Sequence, residues 1–246
     1  MCLGNSESGR QNLRRGMELS PVLSPVSYAI IQSFSALVVA MGIYEPDELV
    51  DDMHEVLRRA ESFGDICGII DAQFAYGTVL LRASGAERDE AMEVLERART
   101  NIDKYSVQTN TLPVIVADLA GDAASKGRRD EAIDDLRALF ALHVENGIRF
   151  EVGCAGEALV RLLIDRGRAE DFAEAHQLCD EWQVRRPDIP AADLWWLKSR
   201  ALLAEAEGDS DLYAELSKEY LALCEKLDAR GLLAEARRMV GTGRET

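Results

Sequence analysis

The sequence predicts an all-α protein, a superhelical solenoid of stacked helical hairpins. Three observations carry that expectation. Glycines punctuate the chain at a near-constant interval: Gly42, Gly85, Gly127, Gly167 and Gly208 are separated by 43, 42, 40 and 41 residues. The apolar residues between them recur with the 3.6-residue period of a helix, not the two-residue period of a strand. β-branched runs are nearly absent, and the clearest, Val114-Ile115-Val116, stands at a helix start behind Pro113. A hairpin of about 40 residues cannot bury its apolar face alone. Stacking buries that face against its neighbours.

The elements follow in order. Gly4 lies 38 residues before Gly42, where another inter-helix turn belongs. Behind the cap signals Ser6-Glu7-Ser8, Asn12–Leu19 reads as the second helix of a hairpin whose first helix is missing. Residues 1–22 are thus a partial hairpin and a Pro/Ser linker, and the chain reads as the tail of something longer. Apolar helices are expected over 26–41, 65–83, 111–126, 153–166 and 191–207. Between them run amphipathic helices. Leu49, Met53, Val56, Leu57 and Ala60 share one face, as do Ala91, Val94, Leu95, Ala98 and Ile102. Ala132, Leu136, Leu139, Phe140 and His143 repeat the arrangement, and Leu216, Tyr220, Leu223 and Leu227 close the series. Most of these helices open on acids, as in Pro46-Asp47-Glu48, Arg88-Asp89-Glu90, Arg129-Asp130-Glu131 and Glu170-Asp171. Carboxylates there oppose the positive end of the helix dipole, and the preceding glycine supplies the positive φ that ends a helix.

Within 23–240, the repeat domain, Val114–Val144 fits the tetratricopeptide pattern best. Ala120 lets two helices approach, Gly127 makes the turn, and Ala132 follows five residues later. Phe172 and Tyr213 occupy the place of Ala132 in other units, so the repeats are tetratricopeptide-like and degenerate. Residues 241–246 are expected to be a disordered tail.

Charge and chemistry narrow the function. The 246 residues carry a formal net charge of −16, and no basic stripe offsets it, which speaks against nucleic acid as a partner. Ser20–Tyr44 has no charge, but Ser27, Gln32, Ser33 and Ser35 interrupt it. It reads as a buried helix, not a membrane span. Five scattered cysteines without a C-x-x-C pair read as free thiols, and no signal peptide is visible, so the cytoplasm is the expected compartment. No phosphate loop, dinucleotide-binding fingerprint, H-E-x-x-H or G-x-S-x-G occurs, so no catalytic residue, cofactor or metal is assigned.

Three sets of residues carry ligand-type side chains close together. Asp51-Asp52 with His54-Glu55 lies on the solvated face of an amphipathic helix. His176 and Cys179 share a face at i and i+3, yet supply half a zinc site. Asp209-Ser210-Asp211 stops short of a calcium loop. The candidate partner-binding residues are different. Of Trp195 and Trp196, adjacent on one helix, one should face the core and the other can anchor a partner. Gln32, Gln73 and Tyr76 are the polar anchors available to a small-molecule effector in an apolar groove. The concave face, read at Val114, Ala117, Gly121, Ala124 and Ser125, is small and mostly apolar. It suits a hydrophobic or helical partner segment better than a peptide carboxylate.

Trp195-Trp196-Leu197-Lys198-Ser199-Arg200-Ala201-Leu202-Leu203-Ala204-Glu205-Ala206-Glu207-Gly208-Asp209, followed by Tyr213 and by Tyr220 through Gly231, carries a resemblance. So do Glu48 through Asp65 and Asp130 through Gly147. These segments resemble the C-terminal helical-repeat region of an actinobacterial, mycobacterial-type family. Its members join a class III adenylate/guanylate cyclase domain to a P-loop ATPase domain, in the style of LuxR-type and AAA-type signalling regulators. The use of 23 Arg against five Lys fits a high-GC source. The resemblance implies a signalling context, with absent ATPase or cyclase domains or another protein as partners. The cyclase aspartates and ATPase motifs have no counterpart here, so no catalytic role carries over. The expected function is a non-catalytic interaction or sensor module. The alternatives are a small-molecule-sensing repeat domain of a transcriptional regulator and an enzyme with an unrecognised site.

Overall fold

The computed structural model describes residues 6–19, 24–84, 88–146, 151–185 and 187–242. The protein is all-α, and no strand occurs among the described residues. The helices are α1 (Ser6–Leu19), α2 (Pro25–Ala40), α3 (Val50–Phe63), α4 (Ile66–Arg82), α5 (Arg88–Tyr105), α6 (Leu112–Ser125), α7 (Arg129–Asn146), α8 (Val152–Arg166), α9 (Ala169–Arg185), α10 (Ala192–Glu207), α11 (Ser210–Leu227) and α12 (Arg230–Thr242). The five apolar helices fall within a residue of their expected bounds.

Two compact units divide the chain between Leu119 and Ala120. In the first, α4 packs against α2, α3 and α5, and α1 against α2. Every residue from Ile70 to Leu80 is buried, so α4 is the central helix of that unit and is enclosed on all sides. In the second, α8 packs against α7, α9 and α10, and α11 lies between α10 and α12.

Local chemistry sets the ends. Ser24 caps α2 by accepting from the Ser27 amide at 3.2 Å, with Pro25 at the first helical position. Asp65 caps α4 through the Gly68 amide at 2.9 Å, and Asp209 caps α11 through Leu212 at 3.0 Å. Gly42, Gly127, Gly167 and Gly208 adopt positive φ at the expected turns. Gly85 lies outside the described residues. Two turns were not anticipated: Gly64 ends α3 at φ 82°, and Asp228 ends α11 at φ 49°. An aspartate tolerates the left-handed region because its short polar side chain bonds locally.

Buried and half-buried ion pairs tie helices together within each unit. Arg82 forks onto Asp118 at 2.7 and 2.9 Å, and Arg137 reaches Glu174 at 2.6 Å. Arg166 binds Asp171 at 2.6 and 3.0 Å and Asp130 at 2.6 Å. The guanidinium of Arg166 holds the wholly buried Asp171 carboxyl below its ordinary range.

Several expectations need correction. Helix α1 starts at Ser6, so Ser6-Glu7-Ser8 forms its first turn and does not precede it. Gly4 and residues 20–23 lie outside the described residues. Helix α12 runs through Thr242, so Gly241 and Thr242 belong to a helix and not to a disordered tail; residues 243–246 are outside the description. The uncharged Ser20–Tyr44 stretch contains one helix of 16 residues, after which Ile43 and Tyr44 turn back into the core. Among the described residues, no helix is long and apolar enough to cross a membrane.

Candidate functional site: an aromatic cleft in the second unit

The site is built on α8, whose first turns read Val152-Gly153-Cys154-Ala155-Gly156-Glu157. Glycines three apart share a helix face; a Cβ on the first would collide with a ring, and one on the second would press tightly against another. A Cβ on Gly153 would stand 2.1 Å from Cε3 of Trp195 and 2.9 Å from Cζ2 of Trp182. One on Gly156 would stand 3.3 Å from Cε2 of Phe140. Rings from α7, α9 and α10 therefore lie directly over the α8 backbone.

Between them is a narrow recess with room for little more than a water molecule. Phe140, Trp182 and Trp195 form buried walls, and Trp196 with Glu157 is half-buried at its edge. Two indoles differ in their hydrogen bonding. The Nε1–H of Trp182 donates to the Ala192 carbonyl at 3.2 Å. That of Trp196 is buried and has no acceptor.

The charges beside the cleft are matched. Lys198 lies 3.5 Å from Glu157 and 3.1 Å from Glu235. Burial pulls its pKa down, but the two carboxylates outweigh burial and leave it raised. Arg200 pairs with Asp180 at 3.7 Å and lies over the Trp196 ring, 5.9 Å from its centroid.

Of the two adjacent tryptophans, Trp195 is buried and Trp196 is half-buried. Gly153, Gly156, Glu157 and Trp182 are not marked by the sequence reading, and Phe140 only as part of an apolar helix face. The signal that marks them is the i, i+3 glycine pair inside an apolar helix, which requires a close approach by something large.

The polar candidates of the first unit do not converge. Gln32, on α2, is wholly buried beside Tyr28. Gln73 accepts from Nδ2 of Asn101 at 3.0 Å. Tyr76 donates to Glu90 and lies 3.3 Å from Nδ1 of His54, their rings meeting edge-on with centroids 5.1 Å apart. Gln73 and Tyr76 thus cross-link helices, and no groove exposes either: they are 4% and 1% accessible. Sequence reasoning also passed over Asp71, a buried carboxylate that accepts from Nε2 of Gln108 at 2.7 Å. Burial pushes it up to about 6, against the Ser33 hydroxyl, and the nearby Asp65 adds to the rise.

The ligand sets considered for metals are dispersed. Nε2 of His176 faces Glu207 at 3.0 Å, while Cys179 is buried beside the cleft with its thiol pushed up to about 12 by burial. Glu55 is engaged by Arg58 at 2.7 and 2.8 Å. No group of three potential metal ligands occurs among the described residues. Val114, expected on an open face, is buried because its β-branched side chain faces the core; Ala117, Gly121 and Ala124 are half-buried and Ser125 is exposed. No family model, curated protein or solved structure matches the chain.

Proposed function

We propose that this chain is a non-catalytic helical-repeat interaction module, a tetratricopeptide-like solenoid, acting in the cytoplasm as the regulatory or sensor arm of a cyclase/ATPase-type signalling regulator. The 40-residue recurrence of turn glycines supports the repeat reading, as does packing of alternate helices within each unit, α2 on α4 and α8 on α10. The resemblance of Trp195–Gly231 to the helical tail of that family supports the signalling context.

The observation that carries an interaction role is the aromatic cleft. Aromatic rings around a small recess, with a polar rim of matched charges, are the composition of a protein-interface anchor site. The recess has room for little more than a water molecule, far below the roughly 300–1,000 Å3 usual for small-molecule sites, which speaks against a free effector.

Selection of a phage-displayed peptide library on the whole chain tests this. Enriched peptides should share an apolar anchor and should lose binding to Trp196→Ala by about 30-fold or more, the loss of about 2 kcal/mol usual for a hot-spot residue. Enrichment indifferent to Trp196 would remove the cleft from the reading. The same reading expects no ATP hydrolysis and no cyclic-nucleotide synthesis by purified protein. Turnover abolished by a substitution in this chain would make it an enzyme instead.

A further inference from the structure

The loop between α5 and α6 keeps an unfavourable backbone while one of its side chains reaches into the core. Ser106 and Gln108 both adopt left-handed φ, 54° and 56°, a conformation that is costly for a residue with a Cβ. Ser106 is exposed and Gln108 half-buried. Nε2 of Gln108 donates at 2.7 Å to the carboxyl of Asp71 on α4, a residue only 3% accessible. The Gln108 carbonyl accepts from the hydroxyl of the buried Thr111 at 3.0 Å, directly before α6. A bond to a buried carboxyl thus opposes the strain of the loop.

The groups packed around α4 do not balance a charge on Asp71. The uncharged α2 faces it with the Ser33 hydroxyl, and Asp65 at the head of α4 adds a like charge. From α3 and α5, His54 and Glu90 meet α4 at Tyr76, more than a turn beyond. Asp47 reaches the Ser84 amide past the end of α4, Asp118 of α6 takes Arg82, and Lys104 lies over the Tyr105 ring. An ionised Asp71 is therefore kept from water by neutral partners and one like charge, and opening the loop would hydrate it.

We propose that residues 106–111 form a proton-gated flap, closed over the protonated carboxyl of Asp71 and released when that carboxyl gives its proton to water. Relief of the two left-handed residues assists the opening. Because burial pushes Asp71 up to about 6, the closed flap is favoured below that pH and loses ground as pH rises through it. The flap stands whether or not the aromatic cleft binds a partner.

Hydrogen exchange of the full chain at pH 5.5 and 7.5, corrected for the intrinsic effect of pH on exchange, tests this. The amides to read are those of Thr111 and Leu112, bonded to the Gln108 and Thr109 carbonyls. Their protection should fall about fourfold across that range, as expected for a carboxyl that titrates at about 6 when covered and near 3.8 when hydrated. Both should exchange faster than Phe74 and Ala75 in α4, the mark of a local opening. In Asp71→Asn the fall should vanish. In Gln108→Ala, which keeps the strain and removes the pin, protection at pH 5.5 should already be about fivefold lower. Equal protection at the two pH values in the parent overturns the proposal. A fourfold fall that persists in Asp71→Asn overturns Asp71 as the gate. Exchange at the same rate as Phe74 and Ala75 makes the opening global and overturns the flap, and unchanged protection in Gln108→Ala overturns the pin.

Discussion

Replacing Asp71 by Asn should stabilise the protein at neutral pH by about 2–3 kcal/mol. The carboxyl is buried in α4 and is pushed from 3.8 to about 6 by burial, so at pH 7 the folded state holds a charge in a place that disfavours it. The sign is set by proton binding. Between about pH 4 and 6 the folded chain retains a proton on Asp71 that the unfolded chain has released. Stability from this group is therefore greatest at low pH, falls as pH rises through that window, and is flat above it. An amide of the same shape still accepts from Gln108 and carries no charge, so the advantage of Asp71→Asn should be full at pH 7.5 and shrink toward pH 5. Urea unfolding of both proteins from pH 5.5 to 7.5, clear of the sequence pI near 4.7, reads the difference directly. A variant less stable than the parent at pH 7.5 would mean that the carboxylate gains more from its hydrogen bonds than it loses to burial.

Gly153→Ala should cost about 3 kcal/mol or more, although alanine is the better helix former. Its Cβ would overlap the Trp195 ring at 2.1 Å and crowd Trp182 at 2.9 Å, and both rings are buried. Neither can swing aside without opening the wall it forms. Gly121→Ala is the matched control. That glycine lies inside α6 with nothing within 4 Å of the added methyl, so the substitution should stabilise by about 0.5–1 kcal/mol. Hydrogen exchange should place the damage in α8, α9 and α10, and thermal unfolding should order the three proteins with Gly121→Ala highest. A neutral Gly153→Ala would show that the aromatic floor yields easily.

The helices were legible because their signals are local. Glycine spacing, acidic first turns and a 3.6-residue apolar period each act within a few residues, and they place α2 through α11 to within a few residues. What failed depended on partners distant in sequence. The Ser6-Glu7-Ser8 motif looks like a cap, but a capping hydroxyl and an ordinary first-turn residue have the same local sequence. Gly64 was missed because it breaks the 40-residue rhythm while doing the same job as Gly208. Gln73 and Tyr76 looked like ligand anchors because polarity on an apolar helix is conspicuous. Their partners, Asn101 and Glu90, lie 28 and 14 residues away and become evident only once α4 and α5 are packed. Trp195 and Trp196 were found by their type; the glycines beneath them, which make the recess, were not.

The buried thiols turn the native structure into its own clock. Cys154 donates to the Glu151 carbonyl, and Cys179 and Cys224 are both pushed up to about 12 chiefly by burial. A thiol reagent attacks the thiolate, so these sulfurs react only in the moments when their helices open and water reaches them. Cys67, at the start of α4, is only half-buried. Under a constant supply of reagent, each cysteine would be modified at the pace at which its surroundings come apart. The order in which the sulfurs are modified would then record how often α8, α9 and α11 loosen, with no label added to the chain.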